Sequence, residues 1–290
     1  MHEGLILCRF VHFGAVLLMF GLGAFGLLFK PRLAGFESSQ VAQRVEHLNR
    51  SLALIALVSA VAWLMLTAGS MASDWRDALD VDTIVLVLNS TFFGHVWIIH
   101  LALALLVMLV ALNRRRARST LQFCLVALLL MTLAPVGHGA MFDGARGQWL
   151  ILNQIIHLIG VGTWLGGLLM LALLLAAPQA FDLRPIFLRF SGIGYVLVAT
   201  IVATGLINVR ALSGAIWPEP AFSGFGLVLA VKAGLVLAML MLAAVNRTLA
   251  RAHSLNVPAL RLSLLLECGF GVLALAAVSL LGTLPPMPMG

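Results

Sequence analysis

Histidine is the residue in this 290-residue chain best suited to chemistry. There are eight. Imidazole binds copper, zinc and haem iron. His12, His95, His100, His138 and His157 lie in or beside long apolar stretches, where polar groups are costly and mark ion or cofactor paths. His47 and His253 fall among charged residues, and His2 is at the N-terminus; these three are assigned no role. Methionine adds soft sulfur, which favours Cu(I). Met71 and Met141 sit at segment ends, and Met287 and Met289 stand in the closing Pro-Pro-Met-Pro-Met-Gly. Arg9, Asn208, Arg210, Lys232 and Glu267 are further polar groups in apolar stretches, and each needs a partner. Cys8, Cys124 and Cys268 form no CxxC pair, which argues against a disulfide framework or zinc ribbon.

The elements that must position these residues follow from composition. The chain is 62% hydrophobic and 10% charged, with mean hydropathy +1.08. A soluble globule cannot hide that much apolar surface. Soluble enzymes and nucleic-acid-binding domains are excluded as whole-chain readings, and the net charge of +7 is a matter of orientation. Segments of about 20 apolar residues cross a bilayer. Eight are expected, at 5–29, 51–72, 92–112, 119–139, 149–177, 186–213, 223–246 and 262–284. The expected fold is all-α, a polytopic membrane bundle of eight transmembrane helices forming one domain over 1–290. Glu3 and Arg9 argue against a cleavable signal in the first segment. Thirteen Lys and Arg fall on one side of the alternating loops, Arg114, Arg115, Arg116 and Arg118 among them. Only Arg76, Arg146 and Arg210 fall on the other, so both termini are expected outside, in the periplasm.

At a rise of about 1.5 Å per residue, His12 lies about 10 Å inside the outer end of its segment, and His100 and His157 about 12 Å inside theirs. His95 and His138 lie near the outer surface. His95 and His100 are separated by about 140° around a helix, so a shared ion needs histidines from different helices. Asp74, Asp77, Asp80 and Asp82, with Asp143 and Glu219, make the outer side acidic, a field that concentrates cations. The spacing of Asp74, Asp77 and Asp80 suits one face of a short surface helix. Trp63, Trp75, Trp97, Trp149 and Trp217 read as an interfacial belt.

The chain resembles the CopD/PcoD copper-resistance membrane proteins. The resemblance rests on Arg9-Phe10-x-His12, Gly137-His138-Gly139, and His157 followed by Trp164-Leu165-Gly166-Gly167. It extends to Gly205-x-x-Asn208, Lys232, Asn246-Arg247 and Glu267, in order over nearly the whole chain. It implies an eight-helix inner-membrane protein of copper homeostasis, paired with a periplasmic copper-binding β-sandwich of the CopC type. His95 and His100 stand outside these motifs and are put forward on their depth alone.

The leading expectation is a protein that takes copper from the periplasmic side and assists its passage inward. Metal ligands are drawn from His12, His95, His100, His138, His157, Met287 and Met289. No P-loop is present, so the driving force is the gradient or the membrane potential. The rival expectation is a membrane oxidoreductase holding haem b between histidines such as His12 and His157. A third is a structural or sensory partner of a periplasmic copper protein.

Overall fold

The computed structural model describes residues 1–33, 35–113, 119–136, 144–177, 180–218 and 221–284. Among them are nine α-helices and no strand: α1 (His2–Phe29), α2 (Gln40–Ala72), α3 (Val81–Ser90), α4 (Phe92–Leu112), α5 (Ser119–Met131), α6 (Gly144–Leu175), α7 (Leu183–Ser213), α8 (Gly224–Arg251) and α9 (Val257–Leu281). Seven of these, all but α3 and α5, are long and apolar enough to cross a membrane.

Helix starts follow capping chemistry. Ser39, Asp80, Thr91 and Asn256 accept hydrogen bonds from the backbone amides of Ala42, Thr83, Gly94 and Ala259, satisfying donors that a helix N-terminus leaves open. In the segment expected at 119–139, α5 ends at Met131 among the described residues. Beyond it the amides of Leu133 and Ala134 turn back three residues, to Leu130 and Met131. Pro135 explains the stop, since proline lacks an amide proton and disfavours helix in the residue before it.

Two outer-loop expectations are corrected. Asp74, Asp77 and Asp80 do not share a helix face. Residues 75–80 form successive i→i+3 turns, and Asp80 caps α3, a helix outside the eight expected segments. Thr91 then ends α3 and starts α4. Gly94 makes that corner possible: a Cβ there would come within 2.1 Å of the Val87 carbonyl oxygen.

The centre of the bundle is α1, which packs most extensively on α6 and α2 and also touches α5 and α9. Its approach to α6 is set by glycine. A Cβ on Gly21 would lie 2.0 Å from the Gly162 carbonyl oxygen and 2.6 Å from the Gly166 Cα. Gly162 and Gly166 form the small-xxx-small spacing that lets membrane helices meet backbone to backbone. At one end of the bundle, Arg9 Nη1 donates to the Gly282 carbonyl at 3.1 Å. The start of α1 and the end of α9 are therefore at the same end.

Candidate metal site

His12 and His100 meet inside this end of the bundle. His12 projects from α1 towards α2 and α4, and His100 from α4 towards α1 and the turn after α5. Both are fully buried. Their Nε2 atoms are 2.9 Å apart.

The surrounding hydroxyls determine which nitrogens carry protons. His12 Nδ1 is 2.9 Å from Ser59 Oγ, and Ser59 Oγ is 2.6 Å from the Ile55 carbonyl oxygen. Two oxygens at that distance need a proton between them, and the hydroxyl has only one. Ser59 therefore donates to Ile55 and accepts from His12 Nδ1–H. The same accounting holds for His100. Its Nδ1 is 2.7 Å from Thr132 Oγ1, and that hydroxyl donates to the Leu129 carbonyl at 2.7 Å. Each neutral ring thus keeps its proton on Nδ1 and presents a bare Nε2. The two lone pairs face each other, so one cation belongs between them, either a proton or a metal ion. A metal-binding histidine typically has its other nitrogen fixed in this way.

Aromatic rings close the site. Trp97 lies flat on His100, with ring centres 4.4 Å apart and planes 14° apart. Trp63 stands edge-on to His12 at 5.7 Å. Trp97 Nε1 donates to the Ala60 carbonyl at 3.0 Å, which fixes the ring. Trp63 and Trp97 are buried, which corrects their assignment to an interfacial belt; Trp75, Trp149 and Trp217 remain exposed. One turn before His12, Cys8 Sγ donates to the Ser59 carbonyl at 3.2 Å. Arg9 lies over Trp63 at 5.2 Å.

The remaining candidates are elsewhere. His157, on α6, is also buried, and its Nδ1 lies 2.8 Å from Thr204 Oγ1 on α7. Thr204 donates to the Thr200 carbonyl at 2.5 Å, so His157 too keeps a bare Nε2. It shares no partner with the His12–His100 pair and faces a separate cavity. His95 is exposed, and its Nε2 donates to the Asn89 carbonyl at 2.9 Å, tying α4 to the end of α3. His138, Met287 and Met289 lie outside the described residues. Among the described residues, no group of three or more His, Cys, Asp or Glu side chains is placed to hold a metal ion.

The pair does not fit haem. Metal–imidazole bonds of about 2 Å need nitrogens about 4 Å apart. The Nε2 atoms are in hydrogen-bond contact, and Trp97 covers one face of His100, leaving no porphyrin-wide slot. A bare ion fits after a small movement, because the nitrogens need separate by only about 1 Å.

Outside the membrane-spanning segments, Asp74 and Asp80 are held in turns. Asp74 accepts from the Arg76 amide at 2.9 Å. Asp80 accepts from the Thr83 hydroxyl at 2.7 Å and the Thr83 amide at 2.9 Å. The Thr83 hydroxyl, then its amide, holds the Asp80 carboxyl below the usual carboxylate range, so its charge persists into mild acid.

Several of the motifs have structural explanations. Gly166 is where α6 touches α1, and Trp164 Nε1 donates to Glu267 at 3.0 Å. Asn246 donates to the other oxygen of Glu267 at 2.8 Å.

Comparison with known proteins agrees with these features. Residues 1–149 match the family described as "Copper resistance protein D-like, N-terminal domain", and residues 184–281 match "Copper resistance protein D". The chain is 30% identical to inner membrane protein YebZ of Escherichia coli, over 97% of this chain and 98% of that protein. It is 32% identical to copper resistance protein D of Pseudomonas syringae pv. tomato, over 97% and 96% respectively. It is 27% identical to copper transport protein CutJ of Bacillus subtilis, over 87% of this chain and 48% of that protein. No solved structure matches the chain. With a glycine-packed helical membrane bundle, motifs in family order and copper resistance protein D matched over nearly all of both chains, the chain belongs to the copper resistance protein D family.

Proposed function

We propose that this protein takes copper from the periplasmic side and carries it across the inner membrane, with His12 and His100 as the buried copper ligands. The observation that carries this reading is the 2.9 Å contact between the two Nε2 atoms, with each Nδ1 against a hydroxyl that donates to a backbone carbonyl. Two neutral imidazoles suit a monovalent ion, Cu(I), because the loaded site bears a single positive charge. Opening by about 1 Å admits the ion. Trp63 and Trp97 exclude water, so copper must shed its hydration on arrival. A membrane potential of about 100 mV contributes about 2.3 kcal/mol to moving that charge inward.

Topology supports the outward-facing reading. The contact of Arg9 with Gly282 puts the start of α1 and the end of α9 at one end, which needs an even number of crossings. The seven long helices are an odd number. An eighth crossing by the segment that holds α5 restores the parity, and the bias of basic loops supports an outside position for the shared end. Copper then meets an acidic rim at Asp74, Asp80 and Asp82. A CopC-like periplasmic protein delivers it there, and His138, Met287 and Met289 pass it towards the pair. His157 faces its own cavity, apart from this path.

The test is Cu(I) uptake into vesicles carrying the full chain. Loss of uptake in His12→Ala and His100→Ala, with wild-type uptake in His47→Ala and His253→Ala, is the expected result. Unchanged uptake in the first two variants would contradict the assignment.

A further inference from the structure

The cavity that His157 faces, of about 470 Å³, lies between α1, α6, α7, α8 and α9. Most of its wall is leucine, valine and isoleucine. It is open along the α7/α8 side, where Val202, Leu206 and Leu237 line it and are exposed. Its charged lining residues are Arg9 and Lys232, and among the described residues no carboxylate lines it. Glu267 belongs to the neighbouring site with Trp164 and Asn246.

The polar groups around the cavity are unevenly satisfied. Gln154, Asn153 and Asn208 bond to one another, at 2.8 Å for each amide–amide contact. Arg9 gives Nη1 to Gly282, but its Nε is buried without an acceptor. Among the described residues nothing accepts a hydrogen bond from Lys232. Lys232 is eight residues into α8, about 12 Å from its start, and Arg9 is about 10 Å from the start of α1. Both therefore lie in the half of the bundle that holds the His12–His100 pair. Two cations in an apolar wall without a counter-charge are costly, and an anion between them removes that cost.

We propose that this cavity binds an acyl-chain amphiphile with an oxyanion head. The head sits between Arg9 and Lys232, and the chain runs along the aliphatic wall and leaves between α7 and α8. An inorganic anion would leave most of the cavity unfilled, and a neutral lipid would leave the cations uncompensated. A fatty-acid carboxylate and the phosphate of an anionic phospholipid share the required chemistry. Copper does not belong here, because the two cations repel it. The site is separate from the copper pair, although the two share a neighbour: Arg9 lies over Trp63, which stands against His12.

The full-length chain, purified in neutral detergent, stripped of lipid and free of copper, is titrated with oleate, phosphatidylglycerol and uncharged monoolein. Thermal shift and native mass spectrometry report binding. Saturable binding of oleate or of phosphatidylglycerol, at least tenfold tighter than monoolein, is expected, and the tighter of the two identifies the source. Lys232→Met should weaken that ligand at least tenfold, and Lys232→Arg should retain it. His12→Ala should bind it as wild type does, which separates this site from the copper reading. Equal affinity for all three amphiphiles, binding of none, or full affinity in a folded Lys232→Met protein would overturn the proposal.

Discussion

Replacing Thr132 by Val tests the proton accounting at the copper pair without touching either ligand. Valine keeps the shape of threonine and removes its hydroxyl. In the wild-type protein the Thr132 oxygen accepts from His100 Nδ1–H at 2.7 Å, and this holds Nε2 bare. Without that acceptor, keeping the proton on Nδ1 leaves a buried donor unsatisfied, at a cost of about 1–3 kcal/mol. His100 then changes tautomer and gives Nε2–H to His12 Nε2, already 2.9 Å away. Copper must undo that bond and restore the unsatisfied donor, so the same 1–3 kcal/mol is taken from its binding. At about 1.4 kcal/mol per tenfold, Cu(I) affinity should fall about 5- to 150-fold. Losses of 10–100-fold are typical when a group that orients a metal ligand is removed. Competition against a chromophoric Cu(I) chelator measures the affinity, and histidine 15N NMR of the copper-free protein reports the tautomer. Ser59→Ala should act similarly through His12, whereas Thr204→Val, beside His157, should leave the pair's affinity unchanged. Wild-type affinity in Thr132→Val, or equal losses in Thr132→Val and Thr204→Val, would refute the reasoning.

Three further outcomes are expected. Reporter fusions after Arg116 and after Gly290 should report opposite sides of the membrane; matching reports would remove the eight-crossing topology. Gly21→Ala places a Cβ 2.0 Å from the Gly162 carbonyl oxygen and so forces α1 from α6. It should destabilise the bundle by about 1–3 kcal/mol, seen as a lower melting temperature in detergent, and no change would mean that this contact is loose. Deleting residues 285–290 removes Met287 and Met289, and it should slow copper uptake at limiting copper while leaving uptake at high copper intact; normal uptake at the lowest concentrations would remove the tail from the path.

The helices were legible because a membrane segment announces itself by length and composition, and the last residues of α1, α2, α4 and α7 coincide with the ends of the apolar runs, although α2 begins at Gln40, well before the run that starts at 51. The shortness of α5 was signalled by Pro135, but a continuous apolar run around it masked the break. His12 and His157 were found through motifs, and His100 only through its depth. Their hydroxyl partners were not found. Ser59 is 47 residues from His12, Thr132 is 32 from His100, and Thr204 is 47 from His157, and no helical periodicity reports pairings between segments. Each is one of several hydroxyl residues in its apolar run, so residue type alone does not single it out. Trp63 and Trp97 were misread for a related reason: tryptophan near a membrane surface has the same sequence signature whether it faces lipid or packs on an imidazole.

In the proposed function one copper ion sits between His12 and His100. X-ray absorption at the copper edge, on the purified full-length chain loaded with one equivalent of Cu(I), tests this most directly. The expected result is a low-coordinate ion with two imidazole nitrogens at about 2 Å, and loss of that signature in His12→Ala and in His100→Ala. An ion bound through sulfur alone, or an unchanged two-imidazole spectrum in both variants, would contradict it.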